Sequence, residues 1–253
     1  MPHIHIGTAG WAIPRAVADC FPAEGSGLER YAAVFDAVEI NSTFYRSHRG
    51  STFLRWATHT PASFRFSVKT PRAITHDARL VNGADALARF LSELEPLRVK
   101  LGVLLVQLPP SLAFDPAVAE SFFGVLRQRE HKLQIACEPR HESWFSAAAD
   151  DLLSGLRIAR VAADPALHPL AGEPGGWKGL SYFRLHGAPR MYYSAYGPEI
   201  VRAFARRLEY GQSKRVWCIF DNTALGAAAA DALEFMRVMS RESEGYRKDI
   251  HRA

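Results

Sequence analysis

The chain has 253 residues, of which 48% are hydrophobic and 23% charged, as is ordinary for a soluble globular protein with a sizeable core. No apolar run approaches the roughly 20 residues that span a bilayer, and the first residues enter a strand pattern instead of a signal peptide, so we expect a cytoplasmic protein with no membrane partner. The net charge of +5 permits an anionic ligand or nucleic acid and requires neither. The three cysteines are widely spaced, which argues against a disulfide framework and a zinc knuckle.

Strand-like segments alternate with helical patterns along the chain. Strands are predicted at 3–6, 37–41, 64–69, 102–108, 134–138, 158–164, 180–186 and 215–221. Helices are predicted at 28–35, 52–58, 84–94, 116–129, 146–153, 199–210 and 225–239. Segment 165–177 is rich in proline and glycine and predicts an irregular loop in the place of a sixth helix.

Eight β units that alternate with helices over about 250 residues are typical of a (β/α)8 barrel. We therefore predict an α/β fold, a closed TIM barrel of eight parallel strands whose sixth helix is missing or short. It would form a single domain over 1–253, with 241–253 as a polar tail that frays. A doubly wound open sheet is the alternative, because periodicity does not show closure. Its phosphate fingerprint is absent, since residues 7–10 read GTAG and not GxGxxG.

The fifth predicted strand ends in a cluster of charge. Glu138 closes this strand, Pro139 stops the pairing, and three functional side chains follow: Arg140, His141 and Trp144. A carboxylate, a cation, an imidazole and an indole at the end of a strand predict a binding site. The structural alternative is a buried Glu–Arg pair that only closes a loop.

The same arrangement recurs on other strands. With Glu138 inward, alternation brings polar side chains to the C-terminal ends and leaves apolar ones facing the helices. These polar residues are Glu39, Asn41, Ser67, Lys69, Gln107, Asp164, Arg184, His186, Asp221 and Asn222. Barrel interiors favour Val, Ile and Leu, and buried charges are costly unless paired or used. We therefore predict one pocket at the C-terminal mouth, where these side chains converge: Glu39, Lys69, Glu138, Arg184 and His186.

Loops after the strands add matching chemistry. Tyr45 and Arg46 follow the second strand, and His76 follows the third. Tyr192, Tyr193 and Tyr196 follow the seventh. Arginine suits carboxylate or phosphate groups, and aromatic rings suit the faces of sugars or bases. For the tyrosines the alternative is a packed lid without ligand contact.

Several sequence blocks resemble the DUF72 (YecE-like) family. They are GTAGW at 7–11, VEINSTFY at 38–45, VKTP at 68–71, ITH at 74–76, QLPP at 107–110, EPRH at 138–141, AD at 163–164 and RLHG at 184–187. The resemblance implies a TIM barrel and supplies no activity, because the family has none assigned. Two departures stand out. Residues 220–222 read FDN where FNN is expected, which adds a carboxylate near the mouth. Residues 137–140 read CEPR where relatives typically have EFR, a difference that affects the direction of the Arg140 side chain.

The leading hypothesis is an enzyme that acts on a small anionic or nucleotide-like ligand at the mouth. Glu39 or Glu138 would be the general base and His186 the general acid. Lys69, Arg140 and Arg184 would hold anionic groups. The other predicted ligand-binding residues are Asn41, Tyr45, His76, Gln107, His141, Trp144, Asp164, Tyr193 and Asn222. A hydrolase, a lyase or an isomerase would fit.

Two further hypotheses stay open. A divalent-metal hydrolase, nuclease-like or isomerase-like, would use as ligands Glu39, Glu138, Asp164, His186 and Asp221. The sequence has no HxH or HExxH spacing, and Lys69 and Arg184 would compete for the carboxylates, so we expect no cofactor. The third hypothesis is a ligand-binding barrel without chemistry. No motif supports a nucleic-acid partner.

Glu138 and Arg184 share a face on nearby strands, so we expect a salt bridge across the mouth. In an open pocket, the partner that survives a substitution stays partly solvated. The loss of either residue would then lower ligand binding more than stability, whereas a fully buried pair would lose several kcal/mol.

Overall fold

The structure is a computed structural model, and it describes residues 3–209 and 213–250. Its strands are β1 (His3–Thr8), β2 (Ala37–Ile40), β3 (Arg65–Lys69), β4 (Leu101–Gln107), β5 (Gln134–Glu138), β6 (Ile158–Arg160), β7 (Ala162–Asp164), β8 (Gly175–Gly176), β9 (Ser181–Leu185) and β10 (Arg215–Phe220). Its α-helices are α1 (Gly27–Ala32), α2 (Ser42–Tyr45), α3 (Gly50–Thr58), α4 (Ala84–Glu93), α5 (Pro116–Arg129), α6 (Ala147–Gly155), α7 (Pro198–Glu209) and α8 (Ala227–Ile250).

The strands form two sheets, so the prediction of a closed barrel of eight parallel strands is wrong. One sheet has the order β1-β10-β9-β7 and is parallel throughout. The other has the order β2-β3-β4-β5-β6-β8 and is mixed, because β8 runs antiparallel to β6. The α/β architecture therefore resembles a TIM barrel that is open and split.

The split lies within the sixth predicted strand, 158–164. Before Val161 the chain pairs with β5, and after it the chain pairs with β9. The free edge of β6 pairs with β8 instead, as Arg160 lies opposite Gly175. Arg160 holds the segment that leads to β8 in place, because its guanidinium donates to Asp150 at 2.8 Å and to the Leu170 carbonyl at 2.7 Å. Side-chain alternation fixes the faces of a strand but not its neighbour, so the sequence could not show this exchange.

The second seam lies between β1 and β2. In the described part of the chain, these strands meet through one parallel bridge between Ala9 and Glu39 instead of a ladder. The backbone N–H of Gly10 donates to the Glu39 carbonyl at 2.8 Å. Glu39 therefore stands where the two sheets come together.

An apolar layer fills the space between the sheets. It joins inward side chains of both sheets: Ala37, Val103, Leu105, Ala136, Ala159, Tyr182, Trp217 and Ile219. A larger core, which includes Val38, Phe66 and Ile135, packs on the other faces of the strands. On several of these strands a charged side chain lies two residues after a member of the apolar layer, on the same inner face, because alternate residues of a strand share a face. The layer thus forms the floor of the mouth.

Local sequence signals explain the helix that precedes β5. The predicted helix at 116–129 is present as α5, and its first turn is capped by Asp115. The Asp115 carboxylate accepts from the backbone N–H groups of Ala117 and Val118, at 2.9 and 3.1 Å. Proline at the first helical position fits, because its missing N–H would have no partner there.

The remaining segments differ in detail from the prediction. Segment 165–177 holds a 3-10 turn (Pro169–Gly172) and the short strand β8. Helix α8 runs on to Ile250, through most of the predicted tail, whereas 251–253 and residue 210 of the predicted seventh helix lie outside the described residues. No helix within 3–209 and 213–250 is long and apolar enough to cross a membrane.

Candidate functional site

Arg184 stands at the centre of the mouth and is fully buried. Its Nη2 lies 2.7 Å from Glu39 Oε1 and 2.7 Å from Asp221 Oδ2. Its Nη1 donates to Glu138 Oε2 at 2.6 Å, so the expected salt bridge is present. One guanidinium therefore joins carboxylates that come from β2, from β5 and from the end of β10, which links the two sheets.

His186 and Arg140 extend this network. His186 Nδ1 lies 3.0 Å from Asp221 Oδ2, and its Nε2 lies 3.1 Å from Glu138 Oε1. Arg140 Nη2 is 2.6 Å from the same Glu138 oxygen and 3.1 Å from His186 Nε2. The side chain of Arg140 is 9% exposed, so it connects the buried network to the surface. We call these six residues the charged cluster: Glu39, Glu138, Arg140, Arg184, His186 and Asp221.

Tyr182 supports the cluster from below, and the prediction missed it. Its hydroxyl lies 2.8 Å from Glu39 Oε2 and 2.8 Å from Ser67 Oγ. Burial raises the pKa of Tyr182 well above its usual value, and Glu39 raises it further, so the hydroxyl keeps its proton as a donor. Tyr182 shares the face of Arg184, so strand alternation carried the signal that could have found it.

Two carboxylates of the cluster, those of Glu138 and Asp221, remain ionised. Burial raises the pKa of Glu138, but the charges of Arg140 and Arg184 outweigh burial and hold it well below its usual range. Burial likewise raises the pKa of Asp221, and Arg184 together with His186 brings it below its ordinary value. Both groups are therefore weak bases near neutral pH, because a low pKa means a low affinity for a proton.

Lys69 lies beside the cluster and differs from its arginines. Burial lowers the pKa of Lys69 to about 8, and the nearby Arg184 contributes. The residue is 8% exposed, and its Nζ lies 4.1 Å from the centroid of the Phe44 ring. Across residues 3–209 and 213–250, we find no hydrogen bond or ion pair of this amine. Lys69 is thus a buried amine that lies close to its neutral form.

His76 lies beside Phe44, the same ring that Lys69 Nζ faces. Its ring centroid is 4.9 Å from that of Phe44. Burial lowers the pKa of His76, and the charges of Lys69, Arg72 and Arg140 lower it further. The imidazole is therefore neutral at physiological pH.

Three buried polar atoms at the ends of β2, β3 and β5 have no partner in the part of the chain that the structure describes. They are Asn41 Oδ1, Thr70 Oγ1 and Arg140 Nε. Asn41 uses only its amide nitrogen, which lies 3.4 Å from Asp221 Oδ1. Buried polar groups are normally paired. At the mouth, these three offer a ligand a cationic donor from Arg140, an acceptor from Asn41 and a hydroxyl from Thr70 that can donate or accept.

Several predicted ligand-binding residues lie apart from the cluster. Tyr45 is 79% exposed and lines a separate cavity of 360 Å³, together with Arg46 and Arg72. Trp144 is buried, donates from Nε1 to the Leu112 carbonyl at 2.9 Å, and borders another cavity of 330 Å³. The structure therefore does not bring Tyr45 and Trp144 to the mouth.

Other predicted residues have structural partners. His141 Nδ1 accepts from the Ser143 backbone N–H at 3.2 Å and caps a 3-10 turn. The Asp164 carboxylate accepts from the Tyr196 hydroxyl at 2.7 Å.

Asn222 and Tyr193 are also engaged. The Asn222 amide donates to the Ser194 carbonyl at 2.9 Å. The guanidinium of Arg190 lies 3.8 Å from the centroid of the Tyr193 ring. Gln107 is buried and pairs in register with Glu138, so it remains at the mouth.

The predicted metal ligands are not arranged as a metal site. Among residues 3–209 and 213–250, no group of three or more His, Cys, Asp or Glu side chains could hold a metal ion. Arg184 lies between Glu39, Glu138 and Asp221, and Asp164 bonds to Tyr196. The donor set present therefore does not fit a divalent metal.

Replacement of Lys69 by Met is expected to stabilise the protein at pH 7 by roughly 1–3 kcal/mol, because a pKa lowered by one unit costs the charged form about 1.4 kcal/mol. The unfolded amine titrates near 10.5 and the folded one near 8, so the cost is fully present below pH 8. It shrinks as pH rises from 8 and vanishes above 10.5. Urea unfolding at pH 7 and pH 10.5 measures the difference.

Lys100→Met is the matched control. Lys100 Nζ donates to the carbonyls of Ala57 and Thr60, both at 2.6 Å, so its loss should destabilise. A Lys69→Met variant less stable than wild type at pH 7 would show that the amine has a structural partner.

The comparisons with known proteins agree with one another. Residues 5–252 match the family model described as "Protein of unknown function DUF72". The UPF0759 protein YecE of Escherichia coli (strain K12) is 30% identical over 148 residues, which are 58% of this chain and 52% of YecE. The match therefore spans about half the length of that relative. The UPF0759 protein YunF of Bacillus subtilis (strain 168) is 24% identical and is covered over 96% of each chain.

Solved structures show the same fold. A DUF72 family protein from Thermotoga maritima MSB8 is similar with a TM-score of 0.77 and 25% identity, over 94% of this chain and 99% of that one. A DUF72 family protein from Enterococcus faecalis V583 is similar with a TM-score of 0.77 and 21% identity, over 94% of this chain and 96% of that one. The overall fold is thus shared with these solved structures.

Proposed function

Because the chain belongs to the DUF72 family, a family of unknown function, we propose a function from the geometry of its own site. The protein is an enzyme that binds a small anionic molecule at the mouth and acts on it by acid–base chemistry. One observation carries the proposal: the buried Lys69 and the nearly buried Arg140 there have unused donors among the described residues.

The unused donors favour an anion over a neutral ligand. Arg140 uses Nη2 on Glu138 and His186, and its buried Nε has no acceptor among the described residues. A buried donor without an acceptor costs about 1–3 kcal/mol. A carboxylate or phosphate that accepts from Arg140 Nε and from Lys69 Nζ would satisfy both, through charge-assisted hydrogen bonds.

Ligand charge would also change the protonation of the mouth. An anion beside Lys69 and His76 raises the pKa of each, because opposite charge favours the protonated form. Binding therefore takes up protons, and affinity falls as pH rises through the Lys69 pKa of about 8. The same shift makes Lys69 and His76 the groups that exchange protons with the ligand.

The carboxylates have a different role in this proposal. Glu39 and Glu138 are fully buried, and Glu138 has a pKa well below its usual range. Neither has exposed surface through which to touch a ligand. Both act as positioning residues that hold Arg184 and Arg140, and their role as general base stays a prediction without a test.

Arg140→Met is expected to weaken the binding of inorganic phosphate or pyruvate at least about tenfold, which corresponds to about 1.4 kcal/mol. Isothermal titration calorimetry in two buffers of different ionisation enthalpy measures both affinity and proton uptake. Arg98→Met is the matched control, because it changes the net charge by the same amount. Arg98 lies in the segment that leads into β4 and pairs with Glu130 at 2.7 Å. Equal affinities in the two variants would place anion binding outside the mouth.

A further inference from the structure

The pKa of the side-chain amine is lowered in Lys69 and in Lys100, and burial is the largest cause in both. Lys100 Nζ donates to the Ala57 carbonyl, to the Thr60 carbonyl and to Thr60 Oγ1, at 2.6, 2.6 and 3.0 Å. These three acceptors use all three protons of an ammonium. Lys100 is thus a structural cation. Lys69 differs, since we find no acceptor for its amine in residues 3–209 and 213–250. A structural role of this kind therefore does not explain why its amine is buried.

The surroundings of Lys69 are those of a nucleophilic amine. Such lysines are desolvated in an apolar pocket or lie next to another cation. Lys69 meets both conditions, because its Nζ faces the Phe44 ring at 4.1 Å and Arg184 lies close enough to act on its charge. With a pKa of about 8, about a tenth of the amine is neutral at pH 7. The 8% of the residue that is exposed gives a ligand access.

We propose that Lys69 Nζ attacks the carbonyl carbon of a small molecule that carries both a carbonyl and a carboxylate or phosphate group, and holds it as an imine. The inference rests on the proposed function for one part, the capture of the anionic group by Arg140. A 2-oxo acid and a phosphorylated ketone both have this chemistry.

The covalent step balances without a further reactant. The Nζ lone pair forms a bond to the carbonyl carbon, and the carbonyl oxygen takes one of the amine protons, which gives a carbinolamine. The nitrogen lone pair then forms the C=N bond as the C–O bond breaks. The oxygen leaves as water with the second amine proton. His76 is held neutral beside Lys69, so it can carry a proton from nitrogen to oxygen.

Reductive trapping tests the proposal. The protein is incubated with pyruvate and sodium cyanoborohydride, and the adduct is located by peptide mass spectrometry. We expect one adduct on Lys69, absent in Lys69→Arg and retained in Lys100→Met. At pyruvate concentrations well below saturation, where the rate reports the protonation of the free protein, the trapping rate should rise with pH up to about 8, as the amine loses its proton. Dihydroxyacetone, a neutral ketone, should react at least about tenfold more slowly, because it lacks the group that Arg140 binds.

Three outcomes would overturn the inference. Absence of an adduct, while phosphate still binds through Arg140, would remove the imine and leave the proposed function standing. Adducts on surface lysines at the rate of Lys69 would show ordinary amine reactivity. Equal trapping of pyruvate and dihydroxyacetone, unaffected by Arg140→Met, would contradict the anionic substrate class and the proposed function together.

Discussion

Arg184→Met is expected to lower the free energy of unfolding by on the order of 4 kcal/mol or more. The guanidinium contacts three carboxylates, of Glu39, Glu138 and Asp221, and the first two are fully buried with it. Its removal leaves buried negative charges that water does not reach. Urea unfolding at pH 7 measures the loss.

Arg160→Met is the control for this experiment. Arg160 is also buried, but its partner Asp150 is 36% exposed, so the carboxylate left behind is solvated. A smaller loss is expected there. If Arg184→Met does not fold, Arg184→Lys keeps the charge with fewer donors and should lie between the two. Equal losses for the Met variants would contradict the structural role of the three contacts.

This expectation replaces the one drawn from the sequence. An open pocket would have left Glu138 partly solvated after the loss of Arg184, with little effect on stability. The structure shows both side chains without exposed surface, so that premise is wrong. The buried part of the cluster carries stability. Ligand binding is expected at Arg140, where the cluster reaches the surface, and at Lys69 beside it.

The second large effect is acid sensitivity. The pKa values of Glu138 and Asp221 lie below their ordinary values of 4.5 and 3.8. Their contribution to stability is therefore complete above these values and is lost as pH falls through them towards the lower folded values. Between the two, each group adds a slope of up to about 1.4 kcal/mol per pH unit.

Glu138→Gln separates this contribution from the other carboxylates. The variant should be less stable than wild type at pH 7, because Arg140 and Arg184 lose a charged partner. Its stability should also fall less steeply below pH 4.5. Urea titrations from pH 3 to 7 measure both quantities. Parallel pH profiles for variant and wild type would mean that Glu138 has the same pKa in the folded and the unfolded protein, which would contradict its lowered value.

Strand alternation predicted which side chains meet at the mouth. The face of Arg184 could be read because its strand alternates polar and apolar residues, and the same rule applies to Glu39 and Glu138. The rule could not show that Arg184 would bond to three carboxylates at once, since pairing across sheets depends on strand order. For the same reason the sequence did not predict that most of the charged cluster would be paired with protein groups and closed off from solvent.

The predicted family is confirmed, whereas the predicted closed barrel is wrong. The DUF72 family that the sequence blocks predicted matches over residues 5–252. The TIM barrel that they implied is present only in an open, split form, because β6 and β7 pair with different neighbours. Tyr45, within the block at 38–45, lies exposed beside a cavity outside the cluster, since it ends helix α2 and carries no strand register.

The most direct test is a crystal structure of the protein soaked in sodium bromide at pH 6.5, where Lys69 is charged. Anomalous scattering from bromide locates a small anion without assumptions about the substrate. We predict a bromide ion within hydrogen-bonding distance of both Lys69 Nζ and Arg140 Nε. Bromide bound only elsewhere, with Lys69 Nζ and Arg140 Nε each bonded to protein acceptors, would contradict the anion site at the mouth.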